Sequence, residues 1–503
     1  MNTTLNPRIE LPWSGPVSVS RRLGNVTEPI RRLYFLDFPL LLMSVGLLTW
    51  IIPTDTMLFL SALTGASVGL YTLWEIAIRR KPIRFSHLFC ISNTVGYGLG
   101  VVNSWLSISR GNLGLAEYFH RDPEAVSHAM AAVLIASSML YCIGEIYESP
   151  VFGKNFRLTL DNRAVFFVLI GTGLVITGYV VGDIGYMGST AFANGGHVSI
   201  LTGILGWLFP VLFAFTALCA MEWRKSMTKR FFFLMLVLQF LLIVPTGRRN
   251  LLYFVLLGII ALRFGSFKLK WSISRRVVIG VVLASVIGVG ATAFYYLRFA
   301  AWGRHKISLA DRISLAMALY ESGNTGKANQ SFKENLQKRT FVLGYLSDLL
   351  DASFRIEPAM GRNALHEFQL IIPSAFWENK SSFLYAEEDV ANMTFHFAYR
   401  DEANSIYSAG AIDFGIWGMI LYPIIISALY RGVAEFARVG LPEIVATLVI
   451  LVLIYNSLTT EAGLWVRFLA IRDALLASAL LWVFFKVPAL SLARQSGKDA
   501  LSR

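Results

Sequence analysis

Runs of about 20 apolar residues, separated by short clusters of charged residues, recur along the 503-residue chain. An α-helix rises 1.5 Å per residue, so about 20 apolar residues cross the roughly 30 Å hydrocarbon core of a bilayer. The pattern therefore predicts an all-α, polytopic transmembrane bundle of about twelve spans. The predicted spans are 34–52, 57–78, 86–107, 125–146, 164–182, 198–221, 231–246, 250–264, 277–297, 405–429, 442–459 and 464–485.

One connection is much longer than the others and covers 298–404. Connections of this length are generally functional or disordered, and this one is not of low complexity. Apolar side chains recur at helical spacing in 307–320 and 339–354, which predicts helices lying on the membrane surface or packed over the bundle. The predicted organisation is an N-terminal cytoplasmic tail at 1–33, spans 1–9 at 34–297, a large, partly helical external loop or lid at 298–404, spans 10–12 at 405–485, and a C-terminal cytoplasmic tail at 486–503.

Composition supports the membrane class, because 55% of the residues are hydrophobic and only 15% are charged. Soluble domains carry roughly 25% charged residues, and disordered chains lack this share of aromatic and branched side chains. The three cysteines, Cys90, Cys142 and Cys219, all lie in predicted spans, which argues against a disulfide framework or a zinc site. The segment 1–33 contains five arginines and no apolar stretch, so we expect a tail rather than a signal peptide.

The net charge of +13 arises from 45 Lys and Arg against 32 Asp and Glu. With the N-terminus in the cytoplasm, 27 of these 45 basic residues lie on the cytoplasmic side, and the short outer loops 53–56, 183–197 and 460–463 contain none. The positive-inside rule therefore predicts that both termini are cytoplasmic. The orientation of the chain in the membrane accounts for these 27 basic residues, so the positive net charge is not interpreted as a sign of nucleic-acid binding. The other 18 basic residues concentrate around the outer mouth of the bundle.

Arg248 and Arg249 interrupt an apolar hairpin in the stretch 244–251 (VPTGRRNL). Arginines near the membrane are costly unless they are paired or face a wet cavity, and guanidinium groups bind phosphate oxygens bidentately. A phosphate-rich ligand would satisfy both, although snorkelling to lipid phosphates is the alternative.

Arg467 and Arg472 lie inside the last predicted span, where charges are functional candidates by default. The alternative is a structural ion pair with Glu461, Asp473 or another span. Arg298 and Arg400 flank the long loop at the mouth of the bundle, where arginines also serve as interfacial anchors.

The general-base candidates are five side chains that no sequence spacing distinguishes, because a base is recognised by its geometry before its pKa. The chain has no HExxH motif, zinc-type Cys/His spacing, Walker loop or Rossmann glycine pattern, so neither a metal nor a nucleotide cofactor is expected. The five candidates are Glu367, Asp389, His396, Asp401 and Glu461.

Three short motifs carry a family resemblance over about 230–430. A Gly-Arg pair opens a span at 246–249 (TGRR), the long loop ends in 372–380 (IPSAFWENK), and 403–407 (ANSIY) leads into 414–418 (FGIWG). In these stretches the chain resembles the Wzy-type oligosaccharide repeat-unit polymerases, which are polyprenyl-dependent membrane glycosyltransferases of bacterial surface polysaccharide assembly.

The chain departs from the family pattern in the second motif. Ser374 stands where the family has arginine, and Glu378 and Ser381 stand where it has prolines. The basic role of this stretch would then belong to Lys380 or Arg362.

The resemblance implies an enzyme of the bacterial cytoplasmic (inner) membrane. It would transfer a growing glycan from undecaprenyl pyrophosphate to the terminal sugar hydroxyl of another lipid-linked repeat unit, on the outer face. Its partners would be the lipid-linked oligosaccharide, membrane lipid, a chain-length regulator and a flippase, with no cofactor, metal or nucleic acid. The candidate residues are His396, Asp401 and Glu461 for catalysis, Arg248, Arg249, Arg298, Arg400 and Arg472 for pyrophosphate, and Arg362, Trp377 and Lys380 for glycan.

Two alternatives stay open from the sequence. An O-antigen-ligase-like transferase would use the same donor with a different acceptor. A lipid-linked oligosaccharide transporter or flippase belongs to another class, whose folds usually show internal repeats and broken helices at matching positions of two halves. The sequence shows no such symmetry, and a folded hundred-residue loop has no obvious role in alternating access.

Overall fold

The computed structural model describes most of the chain, and all regular secondary structure in the described part is α-helical, as the hydropathy pattern predicted. The described residues are 28–77, 79, 81–108, 122–151, 160, 162–181, 200–223, 226–243, 248–264, 297, 309–322, 341–372, 376–377, 385–399 and 404–486.

The described residues form fifteen helices, eight before the long connection and seven within or after it. The first set is α1 (Glu28–Ile51), α2 (Asp55–Ala77), α3 (Phe85–Ile108), α4 (Pro123–Ile146), α5 (Asn162–Val181), α6 (Ile200–Glu222), α7 (Ser226–Ile243) and α8 (Arg248–Phe264). The long connection and the C-terminal part contribute α9 (Leu309–Glu321), α10 (Phe341–Ser353), α11 (Arg362–Leu370), α12 (Glu387–Phe395), α13 (Ile406–Gly440), α14 (Glu443–Ser457) and α15 (Leu464–Lys486).

Eleven predicted spans coincide with helices α1–α8 and α13–α15, while the ninth, 277–297, lies outside the described residues except for position 297. Five of the described helices, α2, α4, α5, α7 and α13, are long and apolar enough to cross a membrane. The chain is therefore a helical membrane protein. The count of about twelve spans is not confirmed, and which end faces the cytoplasm stays a prediction.

Small residues allow the first helices to approach closely. A Cβ atom added to Gly98 of α3 would lie 2.5 Å from the carbonyl oxygen of Ala62 in α2. A Cβ added to Gly69 of α2 would lie 2.6 Å from the Val95 side chain of α3. Such contacts leave no room for a side chain, which is typical of helix pairs in membranes. The helices α3 and α4 in turn provide the surface against which the later elements pack.

The two predicted loop helices both exist, but they occupy different environments. Helix α9 exposes Ile313, Met317 and Tyr320, which recur at helical spacing on one side. Helix α10 instead buries nearly its whole length, including Tyr345 and Leu346, and packs against α4 and α13. The long connection therefore does not only cover the bundle. It also inserts a helix among the other helices.

Charged residues are neutralised where α3 begins and α4 ends. The carboxylate of Glu145 accepts from Lys81 Nζ at 2.9 Å and from Arg84 Nη1 at 2.7 Å. Glu148 follows α4 and accepts from the backbone N–H of Phe85 at 2.7 Å, so it caps the first turn of α3. Anions stabilise helix N-termini because the first backbone N–H groups lack partners within the helix. A carboxylate from elsewhere in the chain thus completes α3.

Helix α13 is broken after its second turn. Gly415 has φ of 57°, a left-handed conformation that suits glycine. The break frees two carbonyl groups that would otherwise bond to the next turn. The backbone N–H of Ala359 donates to Ile412 O at 2.8 Å, and the N–H of Met360 donates to Asp413 O at 2.9 Å. The turn before α11 therefore fits onto the break in α13 and satisfies its backbone.

The side chain of Asp413 joins the same two elements a second time. Its Oδ1 accepts from the Asn363 N–H and its Oδ2 from the Ala364 N–H, each at 2.9 Å. The Tyr422 hydroxyl also donates to Oδ2, at 2.5 Å. The N-cap residue of α11 is Gly361, which has no side chain to offer. Asp413 therefore performs the N-capping role for α11 from another helix.

The start of α13 and the α14–α15 turn lie beside the middle of α3 and α4. Three hydrogen bonds fix this position: Tyr97 Oη with Ser405 Oγ at 2.7 Å, Ser137 Oγ with Tyr407 Oη at 2.8 Å, and Thr460 Oγ1 to Ser92 O at 2.6 Å. Both α3 and α4 have 24 residues, and their residues in these contacts lie well inside the helices. Helix α13 thus begins within the bundle rather than at its end.

The variant Asp413→Ala is expected to lower stability by about 1–3 kcal/mol, because buried backbone donors of α11 lose their acceptor. The measurement is thermal unfolding of the purified full-length protein in detergent. Glu357→Ala, at an exposed glutamate before α11, is the control and should leave the unfolding midpoint nearly unchanged. Equal midpoints for the two variants would contradict the capping role.

Candidate functional site

Two glutamates from the long connection are buried next to each other. Glu367 lies on α11 and is 0% exposed, and Glu387 is the first residue of α12 and is 1% exposed. Glutamate is almost never fully buried without a partner, because removing a charge from water is costly. Two buried carboxyl groups that influence each other are therefore the least expected feature of this part of the molecule.

Hydroxyl groups lead from Glu387 towards α3. The Ser408 hydroxyl donates to Glu387 Oε1 at 2.5 Å, and the Ser405 side chain caps the first turn of α13 by accepting from the Ser408 N–H at 3.0 Å. Ser405 Oγ in turn meets the hydroxyl of Tyr97 at 2.7 Å. The sequence 403–408 opens the apolar helix α13 and supplies its capping serines. Because α13 begins within the bundle, these serines also lie inside it.

Several polar atoms around the pair have no hydrogen-bond partner among the described residues. They are Oε2 of Glu387 and both side-chain amide atoms of Asn363, while the carboxyl group of Glu367 has the Trp465 backbone N–H and the Glu387 carboxyl group nearby. A Cβ added to Gly463 would lie 3.1 Å from Glu387 Oε2, so the α14–α15 turn approaches this oxygen closely. Buried polar groups normally have hydrogen-bond partners. Several buried groups without a partner in one place therefore mark a site that can form further hydrogen bonds.

Burial controls the ionisation of the pair. It raises the pKa of Glu367 to about 8, and the negative charges of Asp413 and Glu388 act in the same direction, while the backbone N–H of Trp465 acts in the opposite one. Burial also raises the pKa of Glu387 well above its usual value, and the charge of Glu367 raises it further. Burial and mutual repulsion therefore both favour the protonated forms of the two carboxyl groups, and the pKa of Glu367 is about 8.

Arg472 forms a hydrogen bond with the C-terminal end of α11, the helix that carries Glu367. Its Nη1 donates to the Ile371 carbonyl, at the end of α11, at 2.6 Å. Its Nε and Nη2 donate to Asp473 Oδ1 at 2.9 and 2.7 Å. Asp473 is one of the ion-pair partners that the sequence left open for this arginine. Its predicted role in pyrophosphate binding stays a prediction.

Arg467 has a structural role. It is fully buried, its guanidinium donates to the carbonyl oxygens of Asn456 and Thr459, and it lies 5.1 Å from the centre of the Phe89 ring. Carbonyl groups at a helix C-terminus lack partners within the helix, and a cation satisfies them. The structural interpretation of this arginine is therefore supported over the functional one.

The other predicted site residues that the structure describes lie on several elements. His396 is exposed at the C-terminal end of α12, opposite Glu387, and Glu461 is half-buried in the α14–α15 turn. Arg362 is exposed at the start of α11, and Trp377 is half-buried. Arg248 and Arg249 begin α8, with side chains outside the described set. Positions outside the described residues altogether are Arg298, Lys380, Arg400 and Asp401.

Glu387 and Asp413 were not predicted as site residues, whereas Glu367 was one of five unranked base candidates. Glu387 belongs to an acidic run at 387–389 (EED), which is typical of an exposed first helical turn. Asp413 carried a usable signal, because an acidic residue inside an apolar run is a functional candidate. Among the described residues, no cluster of three or more His, Cys, Asp or Glu could hold a metal ion.

A scan against protein-family models, a search of curated proteins and a search of solved structures each found no match. The class of this protein is therefore described from its fold and its candidate site alone. The chain is a helical membrane protein with a buried carboxyl pair, which hydroxyl groups link to the middle of α3.

The pair makes stability depend on pH. The pKa of Glu367 is about 8 in the folded protein and near 4.5 when it is exposed, so the native state binds an extra proton between these values. Stability therefore falls as the pH rises from about 4.5 to about 8. We expect the unfolding midpoint of Glu367→Gln in detergent to fall less over this interval than that of the wild type. Glu357→Gln, at an exposed glutamate, is the control, and identical pH dependence in all three proteins would contradict the burial of a titrating group.

Proposed function

We propose that the protein is a membrane glycosyltransferase that polymerises polyprenyl-pyrophosphate-linked oligosaccharide repeat units, with Glu367 as the general base. The observation that carries this proposal is the buried Glu367–Glu387 pair, because a base works best when its pKa lies near the operating pH. The resemblance of the motifs at 246–249, 372–380 and 403–418 to the Wzy-type polymerases supplies the substrate class.

The chemistry asks for one proton acceptor and for cations. The acceptor sugar hydroxyl gives its proton to the Glu367 carboxylate while its oxygen bonds to the anomeric carbon of the donor glycan. The bond from that carbon to the pyrophosphate oxygen breaks, and the lipid pyrophosphate departs with the electron pair. The leaving group is already a good one, so arginines can stabilise its charge without a nucleotide. Arg248 and Arg249 are the first candidates.

Glu387 and its surroundings would hold the base in place. The Ser408 hydroxyl fixes Oε1 of Glu387, and Arg472 fixes the end of the helix that carries Glu367. The helices α10, α11 and α12 cover this region and come from the connection predicted to lie outside. Covering a reacting centre excludes water, which would otherwise hydrolyse the donor. The apolar helices around them would accommodate the lipid tail.

The variant Glu367→Gln should lower the rate of glycan elongation by roughly a hundredfold or more, the usual contribution of a general base. Glu387→Gln should also lower it, because Glu387 holds the base in place. The assay uses purified protein in liposomes with lipid-linked repeat units and no nucleotide. Wild-type activity should rise as the pH increases through about 8, where Glu367 ionises. Glu357→Gln should elongate normally, and wild-type rates in either site variant would exclude the pair from the reaction.

Arg248→Ala or Arg249→Ala should abolish polymer formation while membrane insertion persists, because the leaving pyrophosphate loses a cation. Polymer chains from cells expressing each variant are compared by gel electrophoresis, and membrane fractions are probed for the protein. Arg312→Ala, on α9, is the control for loss of one basic residue. Chain lengths like the wild type in both variants would contradict the assignment.

The acceptor distinguishes a polymerase from the ligase-like alternative. A strain lacking the gene should make no polymer but still attach single repeat units to their final acceptor. Polymer that is made but stays unattached would instead identify a ligase.

One observation favours a transporter as the second candidate function. Helix α13 is broken at Gly415 and begins beside the middle of α3, and broken helices near the bilayer midplane are common in secondary transporters. Protonated glutamates in the same place would couple proton movement to transport. Elongation by the purified protein in detergent, where no compartments exist, would exclude transport as the explanation of activity.

A further inference from the structure

A separate pocket of about 410 Å³ lies between α10 and the segment that follows α12. One wall consists of carboxylates and a guanidinium from α10 and the turn after it. The other consists of three aromatic rings, one from the last residue of α12 and two from the segment that follows. This size is typical of small-molecule sites. The residues that define this aromatic pocket are Asp348, Asp351, Arg355, Phe395, Phe397 and Tyr399.

The aromatic wall is rigid. Asn392 fixes the backbone of Tyr399 from both sides, since its Nδ2 donates to Tyr399 O at 2.7 Å and its Oδ1 accepts from the Tyr399 N–H at 2.9 Å. The Tyr399 hydroxyl donates to Asp348 Oδ2, and the Phe397 and Tyr399 rings pack edge to face with centres 5.1 Å apart. A wall fixed in this way binds without the entropic cost of ordering its rings.

The charged groups of the polar wall are already paired. Arg355 Nη2 lies 2.8 Å from Asp351 Oδ2, and the Asp348 carboxylate accepts from the Tyr399 hydroxyl. A guanidinium that already pairs with a carboxylate is a poor site for a phosphate or carboxylate ligand. Carboxylates and a guanidinium next to aromatic faces instead suit a neutral ligand with many hydroxyl groups and an apolar ring face.

Helix α12 connects this pocket to the glutamate pair. Glu387 is its first residue and Phe395 its last, so the two sites are about 12 Å apart along the helix, at 1.5 Å per residue. A few linked sugar rings cover such a distance. We infer that the aromatic pocket is a subsite for a neutral sugar ring of the glycan, a few rings away from the hydroxyl or anomeric carbon that reacts at Glu367.

This inference rests on the proposed function, but binding can be measured apart from turnover. The probe is the oligosaccharide released by mild acid from lipid-linked repeat units of the native host, observed by saturation-transfer NMR with the full-length protein in detergent. Wild type and Glu367→Gln should bind it equally, because the pocket does not contain the base. Phe397→Ala should weaken binding roughly tenfold, the upper range expected for one aromatic contact.

Phe436→Ala is the matched control, because Phe436 is an exposed aromatic residue of α13 that does not line the pocket, and it should bind like the wild type. Arg355→Gln tests the same pocket at an exposed position should Phe397→Ala fold poorly, and it should also weaken binding. In elongation assays, Phe397→Ala should raise KM for the repeat unit about tenfold and leave kcat within about twofold.

The outcomes separate the two proposals. Unchanged binding in both Phe397→Ala and Arg355→Gln, or displacement of the oligosaccharide by millimolar inorganic phosphate, overturns the subsite. Elongation by the wild type without measurable oligosaccharide binding also overturns the subsite and leaves the proposed function intact. Binding that depends on Phe397 in a protein that never elongates glycan supports the subsite and counts against the polymerase.

Discussion

Asp413 accepts hydrogen bonds from two backbone amides of α11 and from Tyr422, while its own carbonyl accepts from the turn that precedes α11. Helix α11 has only nine residues and a glycine as its N-cap, and isolated helices of that length are unstable in water. Its position therefore depends on a residue of α13. Helix α11 carries Glu367. The position of the candidate base in the bundle therefore depends on the contacts of α11 with the break in α13, and not only on the long connection.

Burying two carboxyl groups side by side is unfavourable, and the surrounding structure reduces the cost in a specific way. Raised pKa values favour the protonated forms, which disfavours two full charges side by side. Ser408 satisfies one oxygen of Glu387, whereas the oxygens of Glu367 have the backbone N–H of Trp465 and the Glu387 carboxyl group nearby. A folded protein tolerates such an arrangement where binding of a ligand completes it, which is the role proposed for the acceptor hydroxyl.

Hydropathy was sufficient for the helices, because a run of apolar residues has few other solutions in a membrane. It also located α9 and α10 by their spacing, but it could not tell that one is exposed and the other buried, since both have an apolar face. The site was less accessible for a related reason. Glu387 stands in an acidic run that is typical of a helix surface, and only the contact with α13 makes it a buried residue. For Arg467 the sequence left a functional and a structural interpretation open, because the carbonyl groups that it binds are not visible in any sequence pattern.

The two caps supplied from distant parts of the chain have a consequence for assembly. During synthesis the residues of α10, α11 and α12 emerge before α13, yet α11 lacks its cap and α10 lacks one of its packing surfaces until α13 is in place. The site is therefore expected to be the last region to become ordered. A chain arrested before α13 would hold its early helices but no glutamate pair, so the buried pair forms only when the final helices have joined the bundle.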